Sequence, residues 1–555
     1  MIDNAKVSVR YTILTSHGGT NWRSVTDEAL VGEVRTICDV TRTALGPFGA
    51  NKLLVQSDGT VTATASATEL LGRLDVTDPA AALLDSAASG FDERHSDGTG
   101  TLVTLAGALL EAADRLSDQG LHPTAIERGY EAGRDIALGT VDRSARPLSS
   151  FAPEDVARTA LTSTRDPRVR QSVAEQAATA VEHTGADRDV TVVSRLGGSV
   201  SETELIEGTV IPRGGILESM PRSPDRDGVA VLSSTVDVPH VGSQLGRVTK
   251  RVIFEADSFE DRYEIAEMET AAFKAQLDAA VDAGCGTVVT ERAINERIQS
   301  VLAARDLLGI QRVDTSELRE IARATGATVV PTLSEVDETV LGTGSVEVQR
   351  TAGRDMTLFR SEAGETTYTL FCRAPDPRSV TAFEESVGSA LAATATAVRD
   401  GRVVPGGGAV EANAASALSE RTREIDGRHQ LAADAFGEAL MTVPHALGQT
   451  AGLDGGQTIV RLRVARSEGR DSVGIDALAG ETADVLGTDP IVEPVPTKRA
   501  VLSASTDLAI QLLRIDERHP ATDLSDDDIE VPEEGSEEGE QSGSEADHSR
   551  SGFGV

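Results

Sequence analysis

Ser96-Asp97-Gly98-Thr99-Gly100-Thr101 brings together the residue types of a phosphate and metal site and runs directly into an apolar segment of helical pattern, Leu102 to Leu116. The first turn of a helix leaves backbone N–H groups unpaired at its positive end, where an anion docks readily. Asp97 adds a hard oxygen ligand of the kind Mg2+ takes beside phosphates. Gly98 and Gly100 let a ligand approach the backbone closely, and Thr99 and Thr101 offer hydroxyls. An ordinary helix start, with Asp97 as N-cap, accounts for the same residues.

Two further glycine loops adjoin helical patterns, Leu45-Gly46-Pro47-Phe48-Gly49 and Val403-Val404-Pro405-Gly406-Gly407-Gly408-Ala409. Backbone N–H groups from several such loops can jointly cradle a nucleotide. No GxxxxGK[ST] stretch occurs, and no GxGxxG follows a strand. The histidines are scattered without an HExxH pattern, so zinc hydrolase chemistry has no anchor. Cys38, Cys285 and Cys372 show no CxxC spacing, and a reducing compartment is expected.

The elements that must position these loops follow from periodicity. Thr26 to Ala44, Ala80 to Phe91 and Thr101 to Leu116 read as helices, and Lys52–Val55 and Thr60–Thr64 as a hairpin around Ser57-Asp58-Gly59. Glu154–Thr162 and Val169–Glu182 follow as helices. Beyond Gly197-Gly198 strands and helices alternate, with strands at Val229–Leu232, Thr287–Val289 and Thr328–Val330 between the helices Asp261–Ala283, Ala293–Arg305 and Ser316–Thr325. Such alternation predicts a parallel or mixed sheet covered by helices. Helix returns at Val380–Asp400, Val410–Leu418, Leu431–Leu447 and Val501–Leu513. The outer parts are thus helical and the middle is α/β, as expected for an inserted domain.

With 52 basic and 89 acidic residues in 555, the net charge is −37, which argues against nucleic acid or an anionic membrane as partner. Hydrophobic residues make up 39%, enough for globular cores, so the acidity reads as a solvated surface suited to a salt-rich cytosol. No long apolar run and no signal-like start occurs, and a cytoplasmic protein is expected. From Asp523 onward the chain is acidic and nearly free of large apolar residues, a composition expected to stay disordered and solvating.

The loops at Gly46 and Asp97, together with His122-Pro123-Thr124-Ala125-Ile126-Glu127-Arg128-Gly129-Tyr130, Val403 to Glu411, Ala324-Thr325-Gly326-Ala327 and Leu512-Leu513-Arg514-Ile515-Asp516, resemble the group II chaperonins, the thermosome and cytosolic chaperonin subunits. The likeness runs from about Thr26 to Asp516. It implies a multidomain α+β chaperonin fold: an equatorial domain in two halves (1–145 and 396–522), an intermediate domain in two pieces (146–206 and 356–395), and an inserted α/β apical domain (207–355), followed by the acidic tail (523–555). A helical protrusion near 254–274, bearing Phe259, Tyr263, Met268 and Phe273, is implied as a lid or client-binding surface, with helix packing as the plainer reading of the same side chains. ATP, Mg2+, non-native protein clients and other subunits of a homo- or hetero-oligomeric double ring are the implied cofactors and partners.

Carried over position by position, the resemblance makes Gly46 and Pro47 the phosphate-side loop, Asp97 the Mg2+ ligand and Gly98, Thr99, Gly100 and Thr101 the phosphate contacts. Gly407 and Gly408 become the wall beside sugar and base, and Asp484 an acidic residue facing the ribose. Two carboxylates used by the family in hydrolysis are replaced, since Ser66 and Ser389 stand where Asp is expected. Losing a general base costs about 10²- to 10⁴-fold in rate. Glu384 and Glu385 lie more than a helical turn before Ser389 and are expected not to reach its place, which leaves Asp97 the sole survivor of the set. The expectation is an ATP-binding chaperonin subunit with weak or lost hydrolysis, or a non-hydrolysing structural or regulatory subunit of a mixed ring.

Overall fold

The computed structural model describes residues 25–55, 61–73, 79–185, 190–237, 259–351, 353–361 and 366–515. The Ser57-Asp58-Gly59 turn and the acidic tail lie outside the described residues.

The largest core is helical and is built from both ends of the described chain. At its centre lies the helix Thr99–Asp118, whose Leu102, Val103, Leu105, Ala106, Leu109, Leu110, Ala113 and Leu116 are all buried. A helix apolar on nearly every side must be wrapped by others. Val25–Arg42, Pro79–His95 and Pro123–Ser144 pack on it from the first half, with His429–Leu440 and Val495–Leu513 from the second, and Ala409–Arg421 joins the same core through Pro123–Ser144. Tyr130 locks the arrangement: its hydroxyl donates to the Leu109 carbonyl at 2.6 Å, and its ring meets Phe436 edge-on at 5.8 Å.

A second core surrounds a seven-stranded sheet. Gly228–Leu232, Cys285–Thr290 and Leu308–Ile310 run parallel and are buried throughout, as strands covered on both faces must be. Gly342–Thr351, Arg354–Ser361 and Thr209–Ile211 extend the sheet antiparallel on one side, and Val329–Val330 pairs with Gly228–Leu232. The helix Phe259–Asp282 packs here through the buried Phe273. Residues 254–258, and the side chains of Phe259, Tyr263 and Met268, lie outside the described residues.

A third core joins the helices Pro153–Ala160, Pro167–Thr184 and Pro377–Asp400 to a small sheet in which Thr191–Leu196 pairs parallel with Tyr368–Ala374. The whole second unit is inserted between these neighbouring strands. Cys38, Cys285 and Cys372 each belong to a different core, and burial pushes each thiol up to about 12.

One element differs from expectation. Leu431–Leu447 is not a single helix but two, His429–Leu440 and Thr442–Thr450, broken at Met441. Pro444 has no N–H to return to the Leu440 carbonyl, so the first helix cannot continue through it.

Candidate nucleotide site

A cleft of about 1630 Å³ opens between the helical core and the third core. It exceeds the roughly 300–1,000 Å³ of ordinary ligand clefts, leaving space for water beside a nucleotide-sized ligand. Gly46, Pro47, Asp97 to Thr101, Gly407, Gly408, Ser66 and Ser389 all line it.

The floor is the start of the helix Thr99–Asp118. Its N-cap is Gly98 rather than Asp97, and no side chain caps it, so the first N–H groups face the cleft unspent. Gly98 has φ +90°, and a Cβ there would sit 2.8 Å from Val501 Cγ2. Thr99 is buried and its hydroxyl donates to Asp92 at 2.8 Å. What Thr99 brings to the cleft is therefore its backbone N–H. Asp97 is pushed up to about 7, chiefly by burial and then by the nearby Glu493, with Lys498 opposing.

The Gly46–Gly49 turn is closed by Gly49 N–H donating to the Gly46 carbonyl at 2.9 Å. Across the cleft, Arg165 donates to the Pro47 carbonyl at 3.3 Å and lays its guanidinium over Phe48 at 4.9 Å. The Arg165 loop is held from behind, since Thr162 and Ser163 N–H groups both donate to Ser386 Oγ. At the third wall Gly407 has φ +60°, and its carbonyl accepts the Ile475 N–H at 2.8 Å. A Cβ there would lie 2.4 Å from the Ile475 carbonyl oxygen.

Asp484 does not line the cleft. It sits exposed at the end of the strand Glu481–Asp484, where its carboxylate accepts the Leu486 N–H at 3.1 Å. The reason is local: the side chain caps the turn that follows its own strand. An acidic residue that does line the cleft is Glu493, on the strand Val492–Pro494 between two buried neighbours. Glu493 Oε2 lies 2.6 Å from Lys498 Nζ, and Lys498 also lies 2.8 Å from Glu411 Oε1. The two carboxylates outweigh the desolvation of the ammonium and raise the Lys498 pKa, while burial raises that of Glu493. In the sequence Lys498 stands beside Arg499 in the helix start Val495–Leu502, and nothing local marks it as the one that is buried.

Ser66 caps the helix Ala67–Arg73, its Oγ accepting the Glu69 N–H at 3.2 Å. Glu385 sits beside this hydroxyl, which stabilises its carboxylate. Glu385 therefore does reach the site: it lies four residues before Ser389 on the helix Pro377–Asp400, hence on the same face, and lines the same cleft. Asp97 is not the sole carboxylate there. Glu384 does not line the cleft and lies near Arg195.

Among the described residues no group of three or more His, Cys, Asp or Glu is placed to hold a metal ion by itself. Nor is any helix among them long and apolar enough to cross a membrane.

A helical cleft closed by both ends of the chain, with an α/β unit inserted between them, defines the multidomain α+β chaperonin fold. Residues 37–518 match the TCP-1/cpn60 chaperonin family, and the chain belongs to it. It is similar to a thermosome subunit of Methanopyrus kandleri, 31% identical over 505 residues, which cover 88% of this chain and 91% of the relative. Thermosome subunit beta of Aeropyrum pernix is 31% identical over 514 residues (89% and 92%), and thermosome subunit 2 of Haloferax volcanii 31% over 526 (89% and 90%). These relatives place the chain among the group II chaperonins.

Proposed function

We propose that this chain is an ATP-binding subunit of a thermosome-like ring that assists the folding of non-native proteins and hydrolyses ATP slowly. The observation that carries the reading is the convergence of Gly46–Pro47, Asp97–Thr101 and Gly407–Gly408 on one cleft. The uncapped N-terminus of the helix Thr99–Asp118 would bind phosphate oxygens, and the Gly407 wall would admit a flat ring against backbone. Mg2+ fits the donor set, because it keeps several waters and needs only one or two carboxylates besides phosphates. Asp97 would hold it, and the ion would screen the phosphate charge. Ser66 and Ser389 supply hydroxyls where the family uses carboxylates, which supports slow turnover.

The same two serines favour a second reading, a structural or regulatory subunit of a mixed ring in which bound ATP is not turned over. The acidic composition supports a salt-adapted protein, and a haloarchaeal relative is among those it resembles. Titration of the purified chain with a fluorescent ATP analogue and Mg2+, beside light scattering for ring size, tests the proposal. Absence of nucleotide binding, or a monomer in ATP and Mg2+ at high salt, would overturn it. Recovery only in complex with active paralogues would favour the second reading.

A further inference from the structure

We propose that Glu385 is the general base of the residual ATP hydrolysis, entering the cleft one helical turn before the serine that stands in the family's carboxylate position. The inference rests on the ATP-binding reading above and concerns how that site acts.

Three observations carry it. First, Glu385 and Ser389 share one face of the helix Pro377–Asp400, and both line the cleft with Asp97 and Ser66. Second, the neighbouring Glu384 does not line the cleft and lies near Arg195, so the helix brings one of its two adjacent carboxylates to the cleft. Third, Glu385 sits beside Ser66, so a single carboxylate lies near both places where the family's carboxylates are missing. The Ser66 Oγ accepts the Glu69 N–H at 3.2 Å, which places Glu385 close to the start of the helix Ala67–Arg73.

The surroundings suit a base. Glu385 is open to the cleft, where water reaches it. Partial burial, then Glu69 on the helix Ala67–Arg73, Asp92 on the helix Pro79–His95 and Glu384 on its own helix push it up to about 7, with Ser66 opposing. A base of that strength both ionises and accepts protons near neutrality. Ser389 and Ser66 cannot do this, because a hydroxyl at its ordinary pKa holds its proton too tightly.

In the step assigned to it, a water oxygen forms a bond to the γ-phosphorus as the bond from that phosphorus to the β–γ bridging oxygen breaks. The departing electron pair stays on ADP. One water proton passes to the Glu385 carboxylate and is later released through the cleft to solvent.

The test compares wild type, Glu385→Gln, Glu385→Asp and Glu384→Gln in assembled protein, measuring single-turnover hydrolysis of radiolabelled ATP with Mg2+ and, separately, binding of a fluorescent ATP analogue. Glutamine keeps the size and polarity of the side chain but cannot take a proton. The expected result is a drop of about 100-fold or more in the hydrolysis rate for Glu385→Gln, with analogue binding unchanged. Glu385→Asp should retain an intermediate rate and Glu384→Gln the wild-type rate. Wild-type turnover in Glu385→Gln would overturn the proposal. So would a wild type that binds ATP yet never hydrolyses it, and that outcome would leave the ATP-binding reading standing. A wild type that binds no nucleotide would overturn both.

Discussion

Lys498 Nζ lies 2.8 Å from Glu411 Oε1, with both side chains almost wholly out of solvent, and this pair ties the helix Val495–Leu513 to the helix Ala409–Arg421 directly beneath the phosphate loop. Glu493 shares the same ammonium and faces the cleft. One buried cation thus balances the floor of a site that otherwise carries an excess of carboxylates.

Removing that cation should be costly. Lys498→Met leaves Glu411 and Glu493 buried without a counter-charge, and breaking one side of a buried pair costs about 3–5 kcal/mol. The expected readout is a lowered first transition in a thermal melt. Lys498→Met combined with Glu411→Leu should recover part of the loss, since an apolar pair needs no compensation. A single variant as stable as wild type would contradict the role given to Lys498.

Restoring a carboxylate at Ser389 should accelerate turnover. Ser389→Asp is expected to raise the steady-state ATPase rate about tenfold or more. Ser66→Asp should do less by itself. Aspartate caps the helix Ala67–Arg73 as well as serine does, but it replaces the hydroxyl beside Glu385 with a like charge. Equal rates for both variants and wild type would show that neither position faces the γ-phosphate.

Gly98→Ala probes the backbone of the phosphate loop. Its φ of +90° disfavours any side chain, and the new Cβ would press on Val501 Cγ2 at 2.8 Å. A cost of roughly 1–3 kcal/mol is expected from the strain alone. Relaxation of the loop would also turn the N–H groups away from the anion. Fluorescent-nucleotide titration should show weakened binding in a protein whose far-ultraviolet circular dichroism is unchanged.

Glu385 also sets a pH dependence. Its pKa in the folded protein is raised to about 7 from an ordinary value of 4.5. Folding therefore favours its protonated form. The contribution is fully present below pH 4.5 and is lost as pH rises through about 7. Glu385→Gln, which stays neutral, should gain thermal stability relative to wild type between pH 5 and 8. Parallel melting curves across that range would show that the carboxylate is fully solvated.

Local order was legible in the sequence, because helix periodicity, glycine loops and caps are written in neighbouring residues. The spacing of Leu102, Leu105, Leu109 and Leu116 marked the central helix, and the Asp97-Gly98 and Gly406–Gly408 loops marked two walls of the cleft. The order of those loops also carried the family. Tertiary structure alone decided which side chains meet. That Glu385 and Ser389 share a helical face follows from their spacing, but that this face meets Ser66 across more than three hundred positions does not. Asp484 and Glu493 both stand on short strands, and the turn after Glu481–Asp484 and the buried Lys498 are what set Glu493, not Asp484, in the cleft. Hydrogen bonds and charge pairs depend on ångström distances between segments remote in the chain, and those distances are set by how the cores pack.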